Sequence, residues 1–550
     1  MKVSDLFVKC LENEGVRYVF GLPGEENEDL LFSLADSSIR FVPCRHEQGA
    51  AFMANVWGRL TGKAGVCLAT LGPGATNLIT GIADANLDKA PVVAITAQGG
   101  LTRLHHEGHQ LIDIVNMFKP ITKWNTAISS PEVVCEVVRK AFKVAEYEKP
   151  GATHIELSED MAKQEVIRMV APISPRRVRR PSADYKAIDE TIALLRKSEW
   201  PLIIAGNGAI RKLASKQLTE LVQRHAIPVA STFMGKGAIS DGMEQSLLTI
   251  GLGFKDFVME AVERADLILT VGYDIAEYAP QRWNPSEEKK IICIDFAPAE
   301  VSQYYRAEVE VVGDVSASLW ELNQRLEGEK PAFDHEWYKP IRARILEDIS
   351  SYTLNEGDPF TIPGTLNILR EILDYQGLLI SDVGSHKMWI ARNFLTYCRP
   401  GCIISNGLAS MGIALPGAIA ASLLDPKRQV VAAMGDGGFL MNSQELETAK
   451  RLGAGFTAII FNDNDYGLIS WKQRLSRGRS VFTTINNPDF KQYAESFGIK
   501  GYCPRDLAEL KVHLRTAIAS GELCVVEVPV DATVNARLVE KLTRYWRKNS

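Results

Sequence analysis

The stretch 430–467 constrains this chain more than any other, and it reads VVAAMGDGGFLMNSQELETAKRLGAGFTAIIFNDNDYG. An apolar run from Val430 to Met434 has the length of a buried strand and breaks at Gly435-Asp436-Gly437-Gly438. Asn442-Ser443-Gln444-Glu445 predicts a helix start, with small polar capping groups ahead of Leu446 and Ala449. Gly453 and Gly455 stop that helix, and 456–461 predicts a second buried strand ending at Asn462-Asp463-Asn464-Asp465. Strand, helix and strand within about forty residues make a parallel crossover unit, in which ligands sit at the carboxyl ends of the strands. Asp436 and Asp463 both fall at such ends and offer two hard oxygen ligands for Mg²⁺, which keeps waters or phosphate oxygens in its other positions. The glycines let backbone N–H groups approach a diphosphate, and a following helix N-terminus favours its charge.

The rest of the chain repeats the alternation. With 550 residues it exceeds a single core, so two to four domains are expected. Hydrophobic residues make up 46% and charged residues 23%, the balance of an ordinary globular protein. A net charge of −5 points away from a nucleic-acid partner. The nine cysteines include no CxxC pair, which predicts reduced thiols and a cytoplasmic location. The first residues run straight into an amphipathic helix pattern, so no secretion signal is expected. No apolar stretch reaches the length of a membrane span, so no membrane partner is expected either.

Three α/β blocks follow from strand and helix patterns. The first, 1–172, includes strands at 18–20, 41–44, 66–70 and 92–96, a small-residue helix over 49–62, and a polar loop over 98–110. A proline- and arginine-rich linker (172–184) leads to a second block, 185–330, where Gly206-Asn207-Gly208-Ala209 follows a strand as in nucleotide-binding folds. That glycine turn is as consistent with a purely structural role as with an occupied one. A polar, aromatic second linker (327–364) precedes the third block, 360–535, and a basic tail occupies 536–550. The fold class is therefore α/β: three doubly wound parallel-sheet domains with a Rossmann-like central one.

Outside the metal loop the strongest candidate is Glu47, which follows a buried-strand pattern and precedes Gly49, Ala50 and Ala51, small enough to admit a ligand. GDG followed by an N-[ND] pair resembles the thiamine diphosphate signature. A carboxylate beside N1′ of that cofactor's aminopyrimidine promotes the imino tautomer that deprotonates C2, a task suited to Glu47. Further stretches widen the resemblance: GLPGEENEDLL (21–31), CRHEQGAAFMA (44–54), GRLTGKAGVCLATLGPGATNLITGIADA (58–85) and SNGLASMGIALPGAIAA (405–421). Over nearly its full length the chain resembles the thiamine-diphosphate-dependent acetolactate (acetohydroxyacid) synthase family.

That resemblance implies a thiamine-diphosphate-binding fold of three domains, with the cofactor between the first domain of one subunit and the third of its partner. It implies a homodimer at minimum, with a homotetramer favoured. Residue by residue, Ser385 and His386 join Gly435, Gly437 and Gly438 around the diphosphate. Asp436 and Asp463 bind Mg²⁺ through their side chains and Asp465 through its carbonyl, with Tyr466 and Gly467 beside them. Met411 buttresses the bent cofactor, and the Ala409 carbonyl and Met411 amide meet its pyrimidine. His109 and Gln110 lie on a loop facing the thiazolium, where they bind substrate. His105-His106-Glu107-Gly108-His109 lacks the HExxH spacing of a zinc site.

Departures from the biosynthetic members point to the catabolic, flavin-independent branch. Asp463 stands where biosynthetic members have Asn. The segment 265–284 lacks their flavin-associated RFDDR-like run, which makes FAD doubtful. Lys472 stands in place of a tryptophan that favours 2-ketobutyrate, with Trp471 one residue early. The expected reaction is decarboxylation of pyruvate and transfer of the remaining unit to a second pyruvate, giving 2-acetolactate and CO₂. Another carboligase with a different acceptor, and a non-catalytic subunit with this fold, are the alternatives.

Overall fold

The computed structural model describes residues 1–167, 171–176, 178, 180–251, 257–328 and 333–537. Within them lie three six-stranded sheets in which every strand pair is parallel. The first comprises β1 (Tyr18–Gly21), β2 (Arg40–Pro43), β3 (Gly65–Ala69), β4 (Val92–Gln98), β5 (Trp124–Ala127) and β6 (Ala152–Ser158), in the order β2-β1-β3-β4-β6-β5. The second comprises β7 (Pro201–Ala205), β8 (Val229–Ser231), β9 (Ser246–Thr249), β10 (Leu267–Val271), β11 (Lys290–Asp295) and β12 (Ala307–Val312), in the order β12-β11-β10-β7-β8-β9. The third comprises β13 (Leu378–Ser381), β14 (Cys402–Ile404), β15 (Val430–Gly435), β16 (Thr457–Asn462), β17 (Lys500–Tyr502) and β18 (Cys524–Pro529), in the order β14-β13-β15-β16-β18-β17.

Strands buried on both faces read as continuous apolar runs, as GVCLA of β3 and VVAAMG of β15 do. Each sheet reverses its strand order near its middle: between β1 and β3, between β7 and β10, and between β13 and β15, and the first and third sheets do so again at an edge, where β6 and β18 lie inside β5 and β17. At each central reversal the helices leave on opposite faces and open a crevice at the strands' carboxyl ends.

The chain divides into two compact units. One is built from Met1–Val178, Gly407–Lys427 and Phe439–Gly455, and its core gathers Phe7, Val19, Leu68, Ile95, Phe142 and Ile155. The other is built from Arg179–Asn406, Arg428–Gly438 and the chain from Phe456 onward. It holds the second and third sheets, with Ile203, Leu218 and Leu269 in one core and Leu379, Trp389, Val431 and Ile459 in another.

Two local expectations change. The Gly435–Gly438 turn is not an open loop before a helix at 442, because a helix already spans Asp436–Asn442 and a second spans Glu445–Leu452. Asp436 Oδ1 accepts the N–H of Gly437 at 2.8 Å and so satisfies one of the free amides of that first turn. The helix start expected at Asn442-Ser443-Gln444-Glu445 is that of the second helix, which begins at Glu445 with Gln444 as its cap residue. The second linker is also more ordered than its polarity suggests. Lys339–Ser350 is a helix that buries Ile341, Ile345 and Ile349, one residue per turn. The expected basic tail lies almost wholly outside the described residues, as do two positions of the arginine-rich linker; Arg180 of that linker pairs with Asp314 at 3.1 Å. No helix among the described residues is long and apolar enough to cross a membrane.

Within the second unit one buried ion pair ties several segments together. Lys236 Nζ lies 3.2 Å from Asp241 Oδ2, with the two side chains 1% and 4% exposed. Asp241 also accepts the Ser246 hydroxyl at 2.9 Å and the Thr396 N–H at 2.8 Å. Removing one partner of such a pair strands the other charge without water. Asp241→Ala should therefore lower unfolding stability by about 3–5 kcal/mol in urea titrations followed by circular dichroism.

Candidate active site

In the first unit the chain leaves β2 and enters the helix Glu47–Thr61. His46 caps that helix, its Nδ1 accepting the N–H of Gln48 at 3.1 Å. Glu47 opens the first turn and is 7% exposed. Its Oε2 accepts the Asn77 side-chain amide at 2.9 Å. Its Oε1 faces Gly74, where a Cβ would lie 3.3 Å away. Asn77 and Gly74 belong to the helix Pro73–Leu87, whose cap Gly72 takes a φ of +52° that suits glycine. The backbone of Gln110 passes directly over that bare residue: a Cβ on Gly72 would meet the Gln110 carbonyl at 2.8 Å. Gln110 itself has φ of +60°, and it and His109 lie on an exposed loop.

Gly49, the first of the small residues after Glu47, has a different use from the one expected. A Cβ at Gly49 would lie 2.6 Å from Glu445 Oε1, so the space belongs to a carboxylate of the same unit. The unit also carries the loop at 407–412. Asp88 accepts the Gly407 N–H at 2.7 Å, Asp84 accepts the Ser410 N–H at 3.3 Å, and Asn442 donates to the Gly412 carbonyl at 2.8 Å. These contacts hold Ala409 in the left-handed region (φ +59°) and leave Met411 half-buried.

In the second unit the carboxyl ends of β13, β15 and β16 converge. After β13, Ser385 and His386 start the helix Ser385–Asn393, both buried. Burial lowers the His386 pKa to about 3, so the ring is neutral. Its Nε2 has no hydrogen-bond partner among the described residues. After β15, Gly438 packs so closely that a Cβ would lie 2.8 Å from Asp382 Oδ1. Asp436 is 2% exposed, and burial raises its pKa. After β16, Asp463 is pushed up to about 7, chiefly by burial and next by the charge of Asp436. Asp463 Oδ1 accepts the Asp465 N–H at 3.2 Å, and a Cβ on Gly467 would sit 2.5 Å from its Oδ2 and 3.3 Å from Ser385 Oγ. Tyr466, exposed, caps the helix Gly467–Arg477.

Sequence reasoning missed Asn487. Its side-chain amide donates to Asp436 Oδ2 at 2.7 Å, Asn462 Oδ1 at 3.0 Å and Asn464 Oδ1 at 3.1 Å. It arrives because the chain at 483–487 returns against the loop: Thr483 accepts the Tyr466 N–H and Ile485 donates to Asn464, both at 2.9 Å. No strand-length pattern marks that return.

Two carboxylates at neighbouring strand ends, both with pKa raised by burial and Asp463 raised further by the charge of Asp436, have the chemistry of a donor set for a hard cation. Among the described residues no three His, Cys, Asp or Glu side chains gather as a metal-binding trio. Mg²⁺ fits a pair nonetheless, because it is bound through one or two carboxylates with waters and phosphate oxygens completing the octahedron. The bare Gly467 lets the Asp463 carboxylate lie against its backbone, and the unpartnered His386 Nε2 offers a polar group to a diphosphate.

Two other expected features are placed as follows. At the reversal of the second sheet the Asn207 N–H donates to both oxygens of Glu277, at 3.0 and 3.1 Å, so the glycine turn encloses a carboxylate of its own chain. Burial pushes Glu277 up to about 7. Beside the metal loop, a cavity of about 300 Å³ is lined by Asp465, Gly467, Trp471, Arg474, Thr533 and Asn535, whereas Lys472 is exposed.

Residues 1–117 match the family described as thiamine pyrophosphate enzyme, N-terminal TPP binding domain. Residues 188–322 match the central domain of the same enzymes and 382–528 their C-terminal TPP binding domain. The chain is 36% identical to the catabolic acetolactate synthase of Raoultella terrigena, over 98% of this chain and 97% of that one. It is 34% identical to the acetolactate synthase of Bacillus subtilis, over 97% and 94% respectively. It is also 34% identical to a probable acetolactate synthase large subunit of Methanocaldococcus jannaschii, over 96% and 92%. With its three parallel sheets and the acidic pair at the carboxyl ends of the third, the chain belongs to the thiamine-diphosphate-dependent acetolactate synthase large-subunit family.

Proposed function

We propose that this chain is an acetolactate synthase that converts two pyruvates and a proton into 2-acetolactate and CO₂, using thiamine diphosphate and Mg²⁺. The observation that carries the metal and cofactor half of this reading is the acidic pair Asp436 and Asp463, the first buried and held by Asn487, the second half-buried with its pKa pushed up to about 7 by burial and by the charge of Asp436. When bound, the cofactor supplies an electron sink for the carbon that loses CO₂.

The remaining roles belong to side chains. Asp436 and Asp463 hold the metal, with the Asp465 carbonyl as third protein ligand. Ser385, Gly435, Gly437, Gly438, Tyr466 and Gly467 surround the diphosphate. His386 serves there as a neutral hydrogen-bonding ring, since its burial keeps it uncharged at neutral pH. Glu47, held through Oε2 by Asn77, keeps Oε1 for the proton at N1′ of the aminopyrimidine. Ala409 and Met411 support the pyrimidine from a loop pinned by Asp84, Asp88 and Asn442. His109 and Gln110 meet the substrate carboxylate from their exposed loop. Flavin is left out of the proposal because Glu277 already satisfies the turn that would face a nucleotide phosphate. A cytoplasmic location fits the nine free cysteines.

The purified protein should form acetolactate, detected as acetoin after acid treatment, with no gain from added FAD. Glu47→Gln should lower kcat by about 10²–10⁴-fold, the usual worth of a positioned proton-transfer group. Acetaldehyde as sole product would instead favour a simple decarboxylase, and a product needing another 2-oxo acid would favour a different carboligase.

Asn487 supports the metal ligand without being one. Asn487→Ala should weaken Mg²⁺ about 10–100-fold, read by titrating cofactor-dependent tryptophan quenching with metal. Unchanged affinity would remove Asn487 from the site.

The family reading also requires a homodimer at minimum, with a homotetramer favoured. Sedimentation equilibrium should return a multiple of the 60.8 kDa chain, and a stable active monomer would contradict it.

A further inference from the structure

Glu445 is a wholly buried carboxylate outside the metal loop, and the reaction as derived above leaves it without a task. It opens the helix Glu445–Leu452, yet its side chain serves the start of another. Oε1 accepts the N–H groups of Arg45 and His46, both at 3.0 Å, and Oε2 accepts the Thr448 hydroxyl at 2.6 Å. Arg45 and His46 are the two residues immediately before Glu47.

The amides ahead of a helix have no carbonyl partner within it, and a carboxylate there complements the positive end of its dipole. Here that carboxylate reaches the amides only because residue 49 carries no side chain. A Cβ on Gly49 would lie 2.6 Å from Oε1 and 2.9 Å from Cδ. Burial raises the Glu445 pKa while the Thr448, Arg45 and His46 hydrogen bonds lower it, so those bonds are what favour its charged form. Around Glu47, the backbone is thus fixed on one side by Glu445 and on the other by the His46 ring, which holds the Gln48 N–H.

We propose that Glu445 is a positioning residue for Glu47: its carboxylate sets the start of the helix so that Glu47 is presented at the correct height and rotation. This rests on the reading of Glu47 as the partner of the cofactor's aminopyrimidine. Displacement of a reacting group by about 1 Å can cost roughly 10²-fold in rate, so the effect belongs to the proton-transfer step more than to cofactor binding.

The test measures hydrogen–deuterium exchange at C2 of bound thiamine diphosphate by acid quench and NMR, alongside cofactor Kd and thermal unfolding. Glu445→Ala should slow exchange about tenfold or more while Kd shifts less than about threefold. Glu445→Gln keeps an amide oxygen for both N–H groups and should stay within about threefold of the parent. Thr448→Val, which frees Oε2, should slow exchange about threefold or more, and it decides the matter if Glu445→Ala does not fold. Val138→Ala, in the core of the same unit, controls for lost stability. Exchange in Glu445→Ala at the parent rate, or slowed no more than in Val138→Ala, overturns the proposal, as does an unaffected Thr448→Val. Glu47→Gln separates the two readings: if it exchanges like the parent, the role of Glu47 itself is wrong. If it abolishes exchange while the Glu445 variants do not slow it, only the positioning role falls.

Discussion

The parallel register that sets Gly435 opposite Phe461 brings two carboxylates to one end of one sheet. Neighbouring strands run about 4.8 Å apart, so the residues following them cannot avoid one another. Asp436 and Asp463 follow those strands, and burial, with the charge of Asp436 next, raises the Asp463 pKa. Such a pair persists as two anions only if a cation replaces the missing water. The glycines, the Asn487 clamp and the neutral His386 all make sense around that requirement. The glycines let the carboxylates of Asp382 and Asp463 lie against bare backbone, Asn487 holds an Asp436 oxygen still, and His386 adds no competing positive charge.

A related device recurs at three turns that leave backbone amides without main-chain partners, where the chain supplies one of its own carboxylates. Glu445 holds the amides of Arg45 and His46, Asp88 holds that of Gly407, and Glu277 holds that of Asn207. The consequence differs with what lies beside the turn. At Glu47 the internal anion orders a residue with chemistry to do. At Asn207 it occupies the place where a nucleotide phosphate would otherwise find a donor.

Much of this was legible in the residues because strands buried on both faces announce themselves as short apolar runs, and functional groups follow their carboxyl ends. The strands around Asp436 and Asp463, the Glu47 position and the α/β class were read that way. What escaped depends on tertiary contact. Gly49 suggested room for a ligand, since sequence cannot say which of two carboxyl-bearing partners fills a missing side chain. Asn487 carried no signal because its segment pairs through single bridges and not through a strand. The helix Lys339–Ser350 was hidden by the charges between its three isoleucines, although their spacing of four is helical.

Acceptor choice shows why helical phase matters more than sequence position. Trp471 and Lys472 are neighbours, but successive helical residues point about 100° apart, and residues four apart share a face. Gly467 and Trp471, with Arg474 one turn further, line the cavity beside the metal loop, and that phase turns Lys472 outward. An exposed lysine selects an acceptor only if something closes over it, because a solvated ammonium at the surface is screened and discriminates poorly. Within a single chain, then, Trp471 is buried against the cavity while Lys472 faces solvent, and a part for Lys472 in acceptor choice requires a second surface.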